Sequence, residues 1–285
     1  MGQILDDVAQ DVEVGAFCIA MRIKGETADE LAGFLDAVER RIHPIGAPPD
    51  TPVIVLPSYN GARKFPLLTP LLGLLLAQRG LPVVMHGMPT EDGRATTSGE
   101  VLQELGILES VAGVPIGPGE LRWLPTRKLS AGLVRLLDLR RTLTLRNSGH
   151  SLVKMVSPIH GKSLVLSSYT HGDYGHVMQE TFMLRSQSVL LFHGLEGEVM
   201  TEPRRLSETV FLKEGKPEAL SAGPRGWGDT DLGATRGRGL SLDQRDVGVT
   251  ATAEFTRAVL TGQVPVPDAI TDQVELITTA WHALR

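Results

Sequence analysis

The sequence predicts an α/β fold, in which a small N-terminal helical domain precedes a large domain with a mostly parallel central sheet flanked by helices. After residue 50, short β-branched and aliphatic runs alternate with helical patterns, as in a sheet covered on both faces. Residues 1–45 show helical spacing only, and the turn-forming stretch 46–50 separates the two parts. The 285 residues are enough to bury a sizeable core.

Two helices are expected in the N-terminal part. The first covers Val12 to Arg22. The second begins after Thr27, because Thr27 and Glu30 have the spacing of a capping box. Apolar residues recur at helical spacing from 31 to 42, and the helix is expected to end near His43.

The large part is expected to continue with strands and helices in alternation. The expected strands are 53–56, 82–85, 164–167 and 188–192, and the expected helices are 66–79, 98–105, 130–138, 175–185, 247–261 and 268–283. The stretch 213–241 is rich in Gly, Pro and charge and is expected to form a long surface loop. We divide the chain into a helical domain, 1–46, and a large domain, 47–285, and expect part of 90–130 to pack on the helical domain.

Composition excludes several classes of protein. No apolar run approaches the roughly 18 residues of a membrane span, so no membrane partner is expected. The lone Cys18 excludes an intrachain disulfide and a cysteine-based zinc site. With no basic-then-apolar leader at the start of the sequence, we expect a cytoplasmic protein.

Charge is unevenly distributed along the chain, although the net charge is only −5. Residues 1–50 hold ten acidic and four basic side chains, whereas residues 121–163 hold nine basic side chains and one acidic one. Local charge decides contact with a polyanion. The basic stretch is therefore either a solvated surface or a nucleic-acid-binding surface.

A loop that follows the strand 53–56 and precedes a helix is a candidate anion site. Backbone amides and the helix dipole at such a position attract anions. Gly61 permits a backbone conformation that other residues avoid, and Arg63 and Lys64 add positive charge. A plain strand-to-helix turn is an equally good interpretation. Glu196 and Glu198 follow a later strand and are candidate cation ligands, although single loop acids usually bind no metal.

Several segments together resemble the anthranilate phosphoribosyltransferase family, which shares its fold with pyrimidine nucleoside phosphorylases. The matching segments are Phe17 to Thr27, the strand and loop 53–64, His86-Gly87, Thr96 to Leu102, Leu105-Gly106, Ser157-Pro158, His193-Gly194 and Arg257 to Leu260. The resemblance implies a helical domain that forms a dimer interface, and phosphoribosyl pyrophosphate with magnesium bound between the domains. It also implies that the segment preceding the first helix in relatives is missing here.

The sequence departs from this family where the chemistry would occur. The family's Gly-Thr-Gly-Gly-Asp pyrophosphate loop is Pro57 to Gly61 here, and its Lys-His-Gly-Asn-Arg is Met85 to Pro89. Its magnesium-binding Asp-Glu pair falls on Val199-Met200, which leaves only Glu196 and Glu198 nearby. We therefore expect anthranilate transfer to be lost.

The loop sequence is closer to the YbiB-type branch of this family. That resemblance implies a homodimer that needs no cofactor and binds DNA, or RNA, without marked sequence preference. The nucleic-acid-binding candidates are Arg122, Arg127, Lys128, Arg135, Arg140, Arg141, Arg146 and Lys154.

An enzyme remains the alternative, namely a phosphoribosyltransferase or nucleoside phosphorylase that uses phosphoribosyl pyrophosphate and Mg²⁺. Either interpretation allows a phosphorylated small molecule to bind between the domains, where the family binds phosphoribosyl pyrophosphate. The phosphate-binding candidates are Ser58, Asn60, Gly61, Arg63, Lys64, His86, Gly87, Thr96 and Thr97.

Overall fold

The computed structural model describes residues 1–88, 95–111, 113–201, 203–220 and 247–285. The helices are α1 (Gly2–Leu5), α2 (Asp11–Lys24), α3 (Ala28–Glu39), α4 (Thr69–Gln78), α5 (Ser98–Glu104), α6 (Thr126–Leu129), α7 (Ala131–Leu143), α8 (Gly149–Leu152), α9 (Gly172–Leu184), α10 (Val249–Leu260) and α11 (Asp268–Ala283), with a 3₁₀ helix at Pro203–Glu208. The strands are β1 (Ile45–Gly46), β2 (Val53–Ser58), β3 (Val83–Gly87), β4 (Leu121–Pro125), β5 (Ile159–His160), β6 (Ser163–Tyr169), β7 (Val189–His193), β8 (Val210–Lys213) and β9 (Lys216–Pro217).

The large sheet has the order β4-β3-β2-β6-β7-β8-β9. The strands β4, β3, β2, β6 and β7 are parallel, whereas β8 and β9 add to the β7 edge in antiparallel fashion. The short strands β1 and β5 pair in parallel outside this sheet. Because parallel strands end at the same edge, the loops that follow β2, β3, β6 and β7 meet at one edge of the sheet.

Alternate residues among the first four of β2 face two separate cores, which is why these four positions are all apolar. Ile54 and Leu56 pack with α4 and α11, whereas Val53 and Val55 pack with α3, α7 and α9. All four are fully buried. Continuous apolar runs of this kind are typical of central strands in a sheet covered on both faces. The mixed α/β fold predicted from the sequence is confirmed.

The N-terminal helices pack on one of these faces. The predicted capping box of Thr27 and Glu30 is present, and α3 begins directly after it. Val14 and Cys18 of α2 pack with Leu136 of α7, so this helix also contacts the N-terminal helices. The domain boundary at residue 46 stays a prediction.

Four predicted strands and eight predicted helices are confirmed, with small shifts at their ends. The helix predicted at 130–138 is longer, because α7 continues to Leu143. The sequence prediction missed β4 and the antiparallel pair β8–β9, and β9 lies inside the stretch 213–241 that was predicted as a loop. Residues 221–241 of that stretch lie outside the described residues. No helix in the described part of the chain is long and apolar enough to cross a membrane.

Candidate anion-binding site

The carboxylate of Glu198 fills the loop that follows β2. Its Oε1 accepts hydrogen bonds from the backbone amides of Asn60 and Gly61, each at 2.9 Å. Its Oε2 accepts from the hydroxyls of Ser58 at 2.5 Å and Thr69 at 3.1 Å. Glu198 is only 3% exposed. The buried half of the predicted anion loop therefore holds an anion that belongs to the chain itself.

A second carboxylate binds the outer half of the same loop. Oε2 of Glu196 accepts from three consecutive backbone amides, those of Arg63 at 3.0 Å, Lys64 at 3.1 Å and Phe65 at 3.3 Å. Consecutive amides that converge in this way form an anion-binding nest. Glu196 is half-buried, in contrast to Glu198, and the three amide-bearing residues are exposed. Both carboxylates come from the short loop after β7.

These contacts do not fit a magnesium site at Glu196 and Glu198. Magnesium requires carboxylate oxygens with free lone pairs, arranged in octahedral geometry with waters or phosphate oxygens. Here Glu198 is surrounded by hydrogen-bond donors on both oxygens, and donors of this kind repel a cation. No cluster of three or more His, Cys, Asp or Glu side chains suited to a metal occurs within the described ranges. The two residues are therefore internal anions rather than metal ligands in this arrangement.

Two glycines allow neighbouring segments to approach the loop this closely. Gly61 has φ +60°, and a Cβ there would lie 2.5 Å from the carbonyl oxygen of Thr96. Gly197 has φ +84°, and a Cβ there would lie 1.8 Å from Nδ2 of Asn60. Glycine is required at both positions by conformation and by space.

His86 is fully buried beside the loop and is held in a small polar network. Its Nδ1 lies 2.9 Å from the hydroxyl of Tyr59, which in turn lies 2.9 Å from Oγ1 of Thr126. Burial lowers the pKa of His86 to about 4, although a contact with the backbone of Val156 opposes the shift. His86 is therefore neutral near pH 7 and orients Tyr59. The following Gly87 is also buried, and its carbonyl accepts from the Thr126 hydroxyl at 2.9 Å.

The predicted threonine pair supports the loop from the other side. Thr96 pairs with Ala62 through two backbone hydrogen bonds, and its hydroxyl donates to the carbonyl of Val247 at 2.7 Å. Thr97 caps α5 and donates from its hydroxyl to the carboxylate of Glu100 at 2.6 Å. Both hydroxyls thus stabilise the fold.

Ser98 belongs to the same polar cluster, although it was absent from the sequence-based candidates. It is buried, and its hydroxyl lies 2.7 Å from that of Ser58. The signal that could have found it is its place at the start of α5, directly after the predicted threonine pair.

Half of the predicted basic residues lie around β4, α6 and the start of α7, and acidic side chains neighbour all of them. Arg122 has a side chain only 16% exposed and bonds Glu120 at 2.8 Å. Arg127 and Lys128 share Glu109 at 2.6 and 3.3 Å. These three bases therefore carry less free charge than their sequence suggests.

The fourth base of this group, Arg135, contacts the N-terminal helices. Its Nε lies 3.5 Å from a carboxylate oxygen of Asp7, and its guanidinium donates to the carbonyl of Leu5 at 3.1 Å. Part of its hydrogen-bonding capacity is therefore used inside the chain.

The other half lies in the second part of α7 and after it. Arg141 is exposed and lies 3.8 Å from Asp138. Arg146 donates to Oδ1 of Asn60 at 3.2 Å, and Lys154 donates to the carbonyl of Gly197 at 3.1 Å.

Positive charge therefore concentrates beside the filled loop. Burial and the neighbouring cations Arg146, Arg140 and Lys154 lower the pKa of His150 to about 4. Burial also lowers the pKa of Lys154 to about 8, and Arg146 adds to that effect, while Glu198 opposes it. The structure thus brings three of the predicted bases together around His150.

Comparison with known proteins decides the family. Residues 1–41 match the helical bundle domain of the glycosyl transferase family. The uncharacterized protein YbiB of Escherichia coli K12 is 31% identical over 277 residues, which cover 95% of this chain and 83% of YbiB. The chain belongs to the anthranilate phosphoribosyltransferase-like family. The anthranilate phosphoribosyltransferase of Methanococcoides burtonii, another relative, is 29% identical over 75% of this chain and 62% of its own length.

Solved structures of this family share the fold. The anthranilate phosphoribosyltransferase of Thermus thermophilus aligns with a TM-score of 0.66 at 18% identity, over 99% of this chain and 88% of that one. The Saccharomyces cerevisiae enzyme in complex with phosphoribosyl pyrophosphate and Mg aligns with a TM-score of 0.57 at 13% identity, over 99% and 88% of the two chains. At these identities, the likeness establishes the phosphoribosyltransferase-like architecture alone.

Proposed function

We propose that this chain is a cytoplasmic, phosphoribosyltransferase-fold homodimer that binds nucleic acid, DNA or RNA, largely without sequence preference. In this proposal it needs no cofactor and does not transfer a phosphoribosyl group to anthranilate. The main support is the carboxylate of Glu198, which takes up the amides and hydroxyls of the loop after β2.

The proposed loss of phosphoribosyl transfer is supported by the two carboxylates that occupy this loop. Transfer from phosphoribosyl pyrophosphate requires that donors and a metal neutralise the departing pyrophosphate. Here the donors already bind Glu198, and Glu196 binds the amides of Arg63, Lys64 and Phe65. A pyrophosphate at this loop would therefore meet two carboxylates, and like charges at such distances repel.

Nucleic-acid binding is supported by four exposed bases of the basic stretch. Arg127, Arg135, Arg141 and Arg146 are exposed. The surface ion pairs of the first three are worth little, because water screens them. Their guanidinium groups can exchange a carboxylate for a backbone phosphate at small loss. Arg122 and Lys154 are used within the chain, so the proposal depends on the exposed arginines.

Reversal of three exposed arginines on and after α7 is expected to weaken binding to all nucleic-acid sequences alike. We expect Arg135→Glu, Arg141→Glu and Arg146→Glu together to lower the slope of log affinity against log salt by about 3, since each lost phosphate contact removes about 1. Fluorescence anisotropy with labelled duplex and single-stranded oligonucleotides over a salt series measures this slope.

A matched triple variant tests whether position, rather than charge alone, matters. Arg79→Glu, Lys213→Glu and Arg257→Glu make the same charge change outside the basic stretch. The proposal fails if this control weakens binding as much, or if wild-type binding does not depend on salt.

The enzyme alternative rests on the fold shared with the yeast enzyme, whose structure contains phosphoribosyl pyrophosphate and Mg. Calorimetry with phosphoribosyl pyrophosphate and Mg²⁺ separates the two functions. Tight, metal-dependent binding by the wild-type chain would favour the enzyme, and the absence of heat favours the nucleic-acid-binding protein.

The exposed face of α2 supports self-association. One stripe of this helix carries apolar side chains at helical spacing, and Val12 and Ile23 are 73% and 81% exposed. The stripe consists of Val12, Ala16, Ile19, Ala20 and Ile23. The opposite face, with Val14, packs into the core. A second copy of the chain would cover this stripe, in agreement with the proposed dimerisation through residues 1–46.

Charges in the stripe are expected to separate the dimer. Val12→Asp with Ile23→Asp would place four carboxylates in a symmetric apolar interface and raise the dissociation constant by about a thousandfold or more. Sedimentation equilibrium measures the change. Leu108→Asp with Val111→Asp replaces two exposed aliphatic residues elsewhere and is expected to keep the wild-type mass. A wild-type monomer would contradict the proposal.

A further inference from the structure

Three consecutive amides after β2 point at one oxygen atom. Oε2 of Glu196 accepts from Arg63, Lys64 and Phe65 at 3.0, 3.1 and 3.3 Å. Three amides that point at one carboxylate oxygen in this way favour an anion and repel a cation. A non-bridging phosphate oxygen has the same charge character and takes the same kind of hydrogen bond.

The carboxylates of Glu196 and Glu198 differ in how easily they can separate from their hydrogen-bond donors in the loop. Glu198 is 3% exposed and accepts hydrogen bonds on both oxygens. The nest contacts of Glu196 all involve its Oε2, and Glu196 is half-buried at the surface. Its φ of +50° lies in the left-handed region, which non-glycine residues populate sparsely. Release of Glu196 would return its carboxylate to water, whereas release of Glu198 would leave four buried donors without an acceptor.

We propose that the nest of Arg63, Lys64 and Phe65 is a phosphate-binding site of the nucleic-acid-binding surface, and that the Glu196 carboxylate is its internal competitor. This inference rests on the proposed function. A backbone phosphate takes the place of the carboxylate oxygen, and Glu196 moves out into solvent. The exposed Lys64 lies beside the nest and adds charge to the incoming phosphate. The inner half of the loop stays closed by Glu198.

Competition between an internal and an external anion has a measurable consequence. As long as Glu196 occupies the nest, a phosphate must displace a carboxylate and then meets its negative charge. Removal of that carboxylate therefore strengthens phosphate binding. Charge-assisted hydrogen bonds to amides are large enough to make this effect roughly tenfold. Removal of the negative charge beside the bound phosphate also raises the salt slope by about 1.

The test uses the full chain with Glu196→Ala and Glu196→Gln. The alanine variant empties the nest, while the glutamine variant keeps the side-chain length and an oxygen acceptor but removes the charge. Glu214→Ala is the matched control, because Glu214 is exposed and also has a positive φ, of +49°, in a different turn. Thermal unfolding verifies that each variant is folded.

Two probes are used, inorganic pyrophosphate and a labelled single-stranded oligonucleotide. Titrations are followed by the ¹⁵N–¹H amide signals of Arg63, Lys64 and Phe65, and by anisotropy. We expect both Glu196 variants to bind the two probes about tenfold more tightly than wild type and Glu214→Ala, with shifts at these three amides. Glutamine is expected to give the smaller gain, because its oxygen still competes.

Specific outcomes overturn the inference without touching the proposed function. If wild type binds the oligonucleotide with salt dependence but the Glu196 variants bind it no better, the nest is not a phosphate site. The same conclusion follows if pyrophosphate shifts other amides only. Conversely, pyrophosphate could shift the three amides in Glu196→Ala while no variant binds oligonucleotide. The nest would then be a phosphate site, and the proposed nucleic-acid binding would be wrong.

Discussion

Replacement of Glu198 by alanine is expected to lower the free energy of unfolding by about 3–5 kcal/mol, because it removes the acceptor of four buried donors. The amides of Asn60 and Gly61 and the hydroxyls of Ser58 and Thr69 all end on this carboxylate. The two amides cannot turn to another partner, and their lost hydrogen bonds dominate the effect.

The loss of charge also affects a neighbouring cation. Burial already lowers the pKa of Lys154 to about 8, and Glu198 opposes that shift. Without the carboxylate, the pKa of Lys154 falls further, and neutralisation of the lysine moderates the cost of burying it. Urea unfolding followed by tryptophan fluorescence, at pH 7 and pH 9, measures both effects.

Glutamine at position 198 separates hydrogen bonding from charge. Its Oε1 can still accept from the Asn60 and Gly61 amides, while the hydroxyls of Ser58 and Thr69 can rotate and accept from its amide group. We therefore expect Glu198→Gln to lose only about 1–2 kcal/mol. Glu196→Ala is the positional control and is expected to lose less than about 1 kcal/mol, since its donors are exposed. Equal stability of Glu198→Ala and wild type would show that the loop does not depend on the internal anion.

The sequence was sufficient to predict most of the fold, because the central strands and their covering helices have strong apolar patterns. The strand β2 is apolar at four consecutive positions, and α11 has the expected bounds. The strand β4 was missed, since Leu121 and Trp123 alternate with a charged Arg122 in a short basic segment. Its strand conformation depends on pairing with β3, which is a tertiary contact that local sequence does not encode.

The sequence could predict where the candidate loop lies in the fold, but it could not predict which side chains fill that loop. The loop from Ser58 to Lys64 lies where a phosphate-binding turn would lie, at the carboxyl edge of parallel strands. Its occupants are Glu196 and Glu198, which lie 129 to 140 residues away from their partners in the chain. No periodic pattern links such distant positions. The one signal in the sequence was the pairing of two changes, the loss of loop glycines and the appearance of two acids after β7.

The basic stretch illustrates the same limit. Consecutive positive charges predicted a single surface, yet Arg127 and Lys128 share Glu109, and Arg135 lies near Asp7. These acids are supplied by other segments, so the sequence alone overstated the free charge. The group around His150 does stay together, and it lies beside the filled loop. Positive charge next to an internally neutralised loop is the arrangement expected of a polyanion-binding surface.

Acidification is expected to destabilise the protein through His86. The unfolded chain binds a proton at this histidine below its ordinary pKa of 6.5, whereas burial lowers the folded-state pKa to about 4. Between these values the unfolded state holds more protons, so the free energy of unfolding falls as the pH drops from about 6.5 to about 4. The contribution of this one residue over the window is roughly 3 kcal/mol. His150, whose pKa is also lowered to about 4, acts in the same direction.

His86→Asn isolates the contribution of His86, because the asparagine amide takes the place of Nδ1 toward Tyr59 and does not titrate. Its unfolding free energy is expected to fall less steeply below pH 6.5 than that of wild type, by an amount that approaches roughly 3 kcal/mol near pH 4. His160→Asn makes the same exchange at an exposed position and is expected to keep the wild-type slope. Parallel pH profiles of His86→Asn and wild type would contradict a neutral, buried His86. His86 would then be a charged residue, able to bind an anion, and not a neutral one that orients Tyr59.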